Sequence, residues 1–162
     1  KVDRDGDAWD PQWPASAISW FDCISYSEWY SEKLGMPVRL PTEKQWEKAA
    51  RGVDGRLFPW GNEWDASLAA SRHSKPLRPE PSVVGSVATD CSVYGVYDCA
   101  GSSSDWCGDS SYEGDSGRRA IRGGHWLSSG STSRVTRRHG VYPSRVITTQ
   151  AFRLVRSLPF RG

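Results

Sequence analysis

Only two stretches of this 162-residue chain carry a clear helical period, and both lie before Gly55. The first runs from Ser19 to Leu34. Ser19 is a good N-cap, and Asp22 completes a capping box. Trp20, Cys23 with Ile24, Ser27, Tyr30 with Ser31, and Leu34 recur at helical spacing. Gly35 stops the helix and Pro37 keeps it stopped. Val38-Arg-Leu40 reads as a short extended piece. Thr42 then caps a second helix, with Gln45 answering at N3, Trp46, Ala49 and Ala50 facing inward, and Gly52 ending it. Two capped helices joined by so few residues must pack close together.

Past Gly55 the patterning thins out. Phe58-Pro-Trp-Gly-Asn-Glu-Trp64 is an aromatic turn, and residues 71–82, with Pro76, Pro79 and Pro81, form a loop. Val83–Val87 reads as a short strand, and Tyr94-Gly-Val-Tyr-Asp98 as a tight aromatic segment. Ser102–Asp105 and Gly108–Gly117 look like loops. Arg119–Arg122 and Phe152–Arg156 look like strands that pair and close off everything between them. Nine Trp, six Tyr and four Phe, set among sixteen Gly and ten Pro, imply a core of a few large aromatics threaded by irregular backbone. The length suits one domain. No apolar run approaches the ~18 residues of a membrane span, and no signal peptide is visible. An opening Lys1 reads as the cut end of a longer protein.

The segment between the last two strands is chemically undecided. Leu127–Ser133, Thr136–Tyr142 and Ser144–Thr149 carry no hydrophobic period, no phosphate-binding Gly loop and no paired carboxylates. They read as a displayed surface held by a frame. Charge is split along the chain. From Arg118 onward there are ten Arg and no acid, whereas all 19 acids and 11 of the 21 basic residues come earlier. Such Arg could form a polyanion-binding face. The favoured reading is that they pair with acids of the first two-thirds, for which guanidinium groups are suited. A nucleic-acid partner is therefore not expected.

Cys23, Cys91, Cys99 and Cys107 follow no zinc spacing. Cys23 suits a buried free thiol; the redox compartment stays open. His73, His125 and His139 show no helical metal spacing. Asp3-Arg-Asp-Gly-Asp7 opens like a calcium loop but lacks the later Glu, so a solvated turn is expected.

Taken in order, several blocks resemble the formylglycine-generating enzyme (sulfatase-modifying factor) domain family. They are Ser19-Trp20, Arg39-Leu-Pro-Thr-Glu43, Trp46-Glu-Lys-Ala-Ala-Arg51, Pro59-Trp-Gly-Asn62, Tyr94-Gly-Val-Tyr-Asp98, Asp105-Trp106, Arg122-Gly-Gly-His-Trp126 and Phe152-Arg153. The resemblance implies an α+β domain of C-type-lectin-like fold, with two helices, a small antiparallel sheet and much irregular structure. It would span 16–158 behind an irregular segment 1–15. Enzymes of this family oxidise a substrate cysteine with two copper-binding Cys. The matching positions, fourth and ninth after Gly124, are Ser128 and Ser133. A hydroxyl cannot supply the thiolate that binds Cu(I), so catalysis is not expected. The family often carries calcium near a Gly-Asn-x-Trp-Glu-Trp segment. Here Gly101-Ser-Ser-Ser-Asp-Trp106 offers weaker oxygen ligands, so no cofactor is expected, with calcium the one ion left open.

Departures from the family pattern cluster as in the variable proteins of diversity-generating retroelements, which this chain also resembles. That resemblance implies a non-catalytic scaffold with a hypervariable ligand-binding region at 102–149. The candidate contacts are Ser102, Ser103, Ser104, Asp105, Tyr112, His125, Leu127, Ser128, Ser129, Ser131, Ser133, Thr136, His139, Val141, Tyr142, Ser144, Val146, Ile147, Thr148 and Thr149. Their Tyr, His, Ser and Thr content is paratope-like. Both helices and Trp60, Trp64, Trp106 and Trp126 would hold the frame, while Arg134, Arg137 and Arg145 would brace loops. The expected partner is a protein or other surface ligand, met at the cell surface or outside the cell, with an intracellular signalling context as the alternative. Two alternatives stand beside this reading: an inactive binding or regulatory domain of the same family, and a copper-dependent cysteine oxidase.

Overall fold

The computed structural model describes residues 9–75, 77–110 and 117–156. Asp3–Asp7 and Tyr112 lie outside the described residues. Helix α1, Trp20–Leu34, begins at Ser19, whose hydroxyl accepts from the Asp22 amide while the Asp22 carboxylate answers the Ser19 amide. It ends at Gly35, with φ of 63°. Strand β1, Val38–Arg39, leads into α2, Glu43–Arg51, capped by the same reciprocal device through Thr42 and Gln45. Both helices lie where their local signals put them, because each cap is satisfied within three residues.

The larger sheet holds β2 (Ser104–Ser110), β3 (Arg119–Arg122), β4 (Arg138–Val141) and β5 (Gln150–Phe152), in the order β4-β3-β2-β5. β3 is antiparallel to both β2 and β4. β5 runs parallel to β2, with Trp106 opposite Phe152, so the sheet is mixed. β6 (Val155–Arg156) pairs with β1 in a separate two-stranded ribbon. Three sequence expectations are corrected here. Arg119–Arg122 does not pair with Phe152–Arg156; β2 lies between β3 and β5, and β6 leaves for β1. Ser104–Ser110 is a central strand, not a loop. Val83–Val87 is not a strand but contains a turn at 84–85.

Alternation along the strands gives the sheet two buried faces. Cys107 and Ala120 point toward Trp46 and Ala50 of α2, joined by Cys99 and Val135. Trp106 and Ile121 point the other way, toward Cys23 of α1, with Leu40 and Val141. The two helices therefore flank opposite faces of the sheet, and the close helix–helix packing expected from their short linker is corrected: the sheet lies between them. The tryptophans are bolted as well as packed. Trp106 Nε1 donates to the Ile18 carbonyl at 3.2 Å, and Trp20 Nε1 to the Cys107 carbonyl at 2.9 Å. Trp106 and Trp126 are core, whereas Trp60 and Trp64 are half-buried against Phe58. Trp9 packs edge-on to Trp126 at 6.1 Å, so the chain joins the frame before residue 16. All four cysteines are free, and Cys23, Cys99 and Cys107 are buried.

Candidate recognition face

The face is built outward from the α2 side of the sheet. Counting by twos along β3 puts Ala120 and Arg122 on that side. Arg122 is 3% exposed, and its guanidinium donates to Glu43 at 2.8 Å, to Glu47, and to the Val135 carbonyl at 3.0 Å. Glu43 also accepts from Arg138 of β4 at 2.5 Å. On β2, Asp105 accepts from Trp46 Nε1 at 2.8 Å and from Arg153 Nε at 2.6 Å. The charge split along the sequence is thus resolved in space: Arg122, Arg138 and Arg153 of the basic third meet acids of the acidic part. Among the described residues, Arg134, Arg137 and Arg145, expected to brace loops, meet no acid, whereas Arg122, Arg138 and Arg153 do.

The Gly-Gly after Arg122 is required by close approach. Gly123 has φ of +84°, and a Cβ there would meet Trp46 at 2.9 Å. A Cβ on Gly124 would lie 2.0 Å from the Ala100 carbonyl oxygen. The chain then turns outward at His125. The Ser128 hydroxyl accepts from the His125 amide at 3.0 Å, and His125 Nδ1 accepts from the Leu127 amide at 3.2 Å. The ring therefore carries its proton on Nε2. Burial, then the neighbouring Arg137 charge, pushes the His125 pKa down to about 4. A 3-10 turn, Gly130–Ser133, follows, with Gly130 against Trp64.

The candidate contacts divide by burial. Leu127, Ser131, His139, Tyr142, Ser144, Val146 and Thr148 are exposed, and His125, Ser129, Thr136 and Ile147 half-buried. Ser102, Ser103, Ser104, Asp105, Ser128, Ser133, Val141 and Thr149 are buried and cannot be displayed. For Ser102–Asp105 the reason is position: they lead into the central strand. Ser104 donates to the Gly123 and Gly124 carbonyls, at 3.2 and 3.3 Å, and Ser102 bonds to the backbone of Ser82. They do not extend a surface beyond Trp106.

On the α1 side of the sheet, a pocket of about 180 Å³ opens beside edge strand β4. Ser104, His125, His139, Val141, Ile147 and Thr149 are brought together in its wall, with Ile121. Arg137 and Gln150 also line it and were missed as candidate contacts. A signal existed for Arg137: period-two counting back from Val141 and His139 reaches it. Gln150 gave none, because its place depends on the β2–β5 pairing.

Asp105 Oδ2 already holds the Arg153 guanidinium and Trp46 Nε1, and the Ser102 hydroxyl bonds to the backbone of Ser82, so both side chains of the 101–106 segment offered as calcium ligands are engaged within the fold. Among the described residues, no group of three or more His, Cys, Asp or Glu side chains could hold a metal. Ser128 and Ser133 are buried at 1% and 0%, and the Ser133 hydroxyl has no hydrogen-bond partner. Among the described residues no helix is long and apolar enough to cross a membrane.

A family model described as "Sulfatase-modifying factor enzyme 1-like domain" matches residues 3–158. "Inactive C-alpha-formylglycine-generating enzyme 2" of Bos taurus is 30% identical over 155 residues, 88% of this chain and 50% of that protein. The chain thus spans about half the length of that curated relative. The solved structure of PvdO from Pseudomonas aeruginosa superposes with a TM-score of 0.83 at 26% identity, covering 93% of this chain and 64% of that one. Treponema denticola variable protein 1 shares the fold, with a TM-score of 0.75 at 21% identity over 94% of this chain and 76% of that one.

Proposed function

From the premise that the chain belongs to the sulfatase-modifying factor enzyme 1-like domain family, we propose that it is a non-catalytic member whose outer face binds a protein surface. One observation carries this reading. In the 125–149 segment, which supplies most of the β4 pocket's wall, Leu127, Tyr142 and Val146 stand 41%, 55% and 58% exposed, while the sheet that carries the segment is tied by the Arg122–Glu43 and Arg153–Asp105 ion pairs. Large side chains left in solvent on a rigid support are the arrangement of a recognition surface. Hydroxyls at Ser128 and Ser133, where thiols would be needed, support the absence of oxidase chemistry. So does likeness to a relative named inactive.

The finer reading is a surface diversified by a retroelement, and the fold shared with Treponema denticola variable protein 1 supports it. The diversified positions are then the exposed and half-buried ones from His125 to Thr148. Two experiments test the proposal. DNA downstream of the gene should contain a near-repeat of the codons for this segment, differing at adenines, with a reverse transcriptase nearby; absence of both sinks the diversification reading alone. Copper titration with a cysteine-oxidation assay should give neither stoichiometric copper nor turnover, and finding both would overturn the non-catalytic reading.

A further inference from the structure

We infer that the pocket beside β4 receives a single carboxylate of the partner, either an Asp or Glu side chain or a chain terminus. This rests on reading the face as a recognition surface, and it names the chemistry that the surface takes.

Arg137 carries the argument. Arg122, Arg138 and Arg153 each meet a carboxylate, but Arg137 is half-buried in the pocket wall and meets none among the described residues. Its burial disfavours the charge and lowers its pKa. A guanidinium stripped of part of its water and left unpaired is a standing cost that a bound anion removes. No Asp or Glu lines the pocket, so nothing in the chain's own wall competes for the position.

The neighbours fit the same ligand. His125 Nδ1 is taken by the Leu127 amide, which leaves Nε2–H as the ring's donor, with no hydrogen-bond partner among the described residues. His139 adds a second imidazole. Gln150 is 5% exposed, and its Oε1 has no hydrogen-bond partner. Its amide can offer N–H to a carboxylate oxygen, or accept the N–H of a peptide whose terminus sits on Arg137. Ile121, Val141 and Ile147 supply an apolar wall for the short stem that carries the carboxylate.

Size and charge narrow the class. About 180 Å³ is well below the volume of sites for drug-sized ligands, so the pocket suits a headgroup with a methylene or two and excludes a nucleotide. One guanidinium beside a neutral His125 balances one negative charge and leaves a dianion such as phosphate undercompensated.

The test is an amide and side-chain NMR titration of the full chain at neutral pH. The probes are propionate for a side chain, N-acetylglycine for a chain terminus, and inorganic phosphate and chloride at matched ionic strength. One or both carboxylates should give saturable shifts at His125, Arg137, Thr149 and Gln150, with a Kd of about millimolar order. The tighter of the two identifies the source. R137Q should weaken that binding about tenfold or more while leaving the spectrum folded. Absence of saturable shifts, tighter binding of phosphate than of either carboxylate, or equal binding by R137Q overturns the inference. These probes need no partner. If they fail, the pocket chemistry fails and the proposed recognition face survives. If exposed-face substitutions spare partner binding while propionate still saturates, the face fails instead.

Discussion

Loss of the Glu43 carboxylate leaves a buried guanidinium without one of its partners. Glu43 sits at the start of α2, and its two carboxylate oxygens take Arg122 at 2.8 Å and Arg138 at 2.5 Å. In Glu43→Ala the consequence lies with Arg122, which is 3% exposed. Breaking a buried pair costs about 3–5 kcal/mol, because one charge stays behind without its partner. Arg122 keeps Glu47 and the Val135 carbonyl, which places the loss at the low end, about 3 kcal/mol. For a chain of this length that is roughly a 6–12 °C fall in Tm. The comparison variant is Arg138→Ala, whose side chain is 45% exposed and whose loss should cost only about 0.5–1 kcal/mol. Glu43→Leu combined with Arg122→Met removes both buried charges and should recover much of the loss. Urea and thermal unfolding followed by Trp fluorescence measure all three. The reasoning is refuted if Glu43→Ala costs less than about 1 kcal/mol, or if Arg138→Ala costs as much.

Three further outcomes are expected. Gly124→Ala places a Cβ 2.0 Å from a backbone oxygen and should cost more than about 4 kcal/mol or abolish soluble folding. Gly108→Ala, with nothing nearer than 3.6 Å, should cost about 1 kcal/mol or less, as chemical denaturation will show. Ser133→Ala deletes a buried hydroxyl that has no partner and should be neutral or stabilise by about 1 kcal/mol, whereas Ser128→Ala removes the acceptor for the His125 amide and should destabilise by about 1 kcal/mol. A loss for Ser133→Ala in calorimetry would contradict the packing described. His125 should titrate near pH 4 by NMR, against 6.5 when unfolded. Between those values the unfolded chain binds more protons, so this group's contribution to stability is complete above 6.5 and lost as pH falls through 4. Replacing His125 with Gln should flatten that part of the stability profile; an unchanged slope would assign it elsewhere.

Local signals determined the local parts. Both helices were legible because Ser19 with Asp22, and Thr42 with Gln45, satisfy helix ends through residues three apart. The division of charge along the chain was legible too, and it implied that Arg of the last third would meet acids of the rest. The frame motif Arg122-Gly-Gly could be read, and so could the hydroxyls at Ser128 and Ser133. What could not be read was which Arg met which acid. Glu43 lies 79 residues from Arg122 and 95 from Arg138, and nothing in the local sequence encodes those separations.

The strand Ser104–Ser110 shows the limit most clearly. Ser-Asp-Trp-Cys-Gly has no alternation of apolar and polar residues, because the strand is buried on both faces and its polar groups are answered by distant partners. Ser104 finds the Gly123 and Gly124 carbonyls, and Asp105 finds Trp46 and Arg153. Polar composition therefore imitated a loop. The same burial separated the displayed residues from the structural ones within a run that looked uniformly polar. The sequence by itself determined the two helices, the frame motifs, the hydroxyls at Ser128 and Ser133 and the sign of each part's charge, since each depends on side-chain chemistry or on neighbours within a turn. Only the tertiary structure decided the strand order, the pairing of each Arg, and which hydroxyls reach solvent. Those depend on what the sheet stacks against each residue from far along the chain.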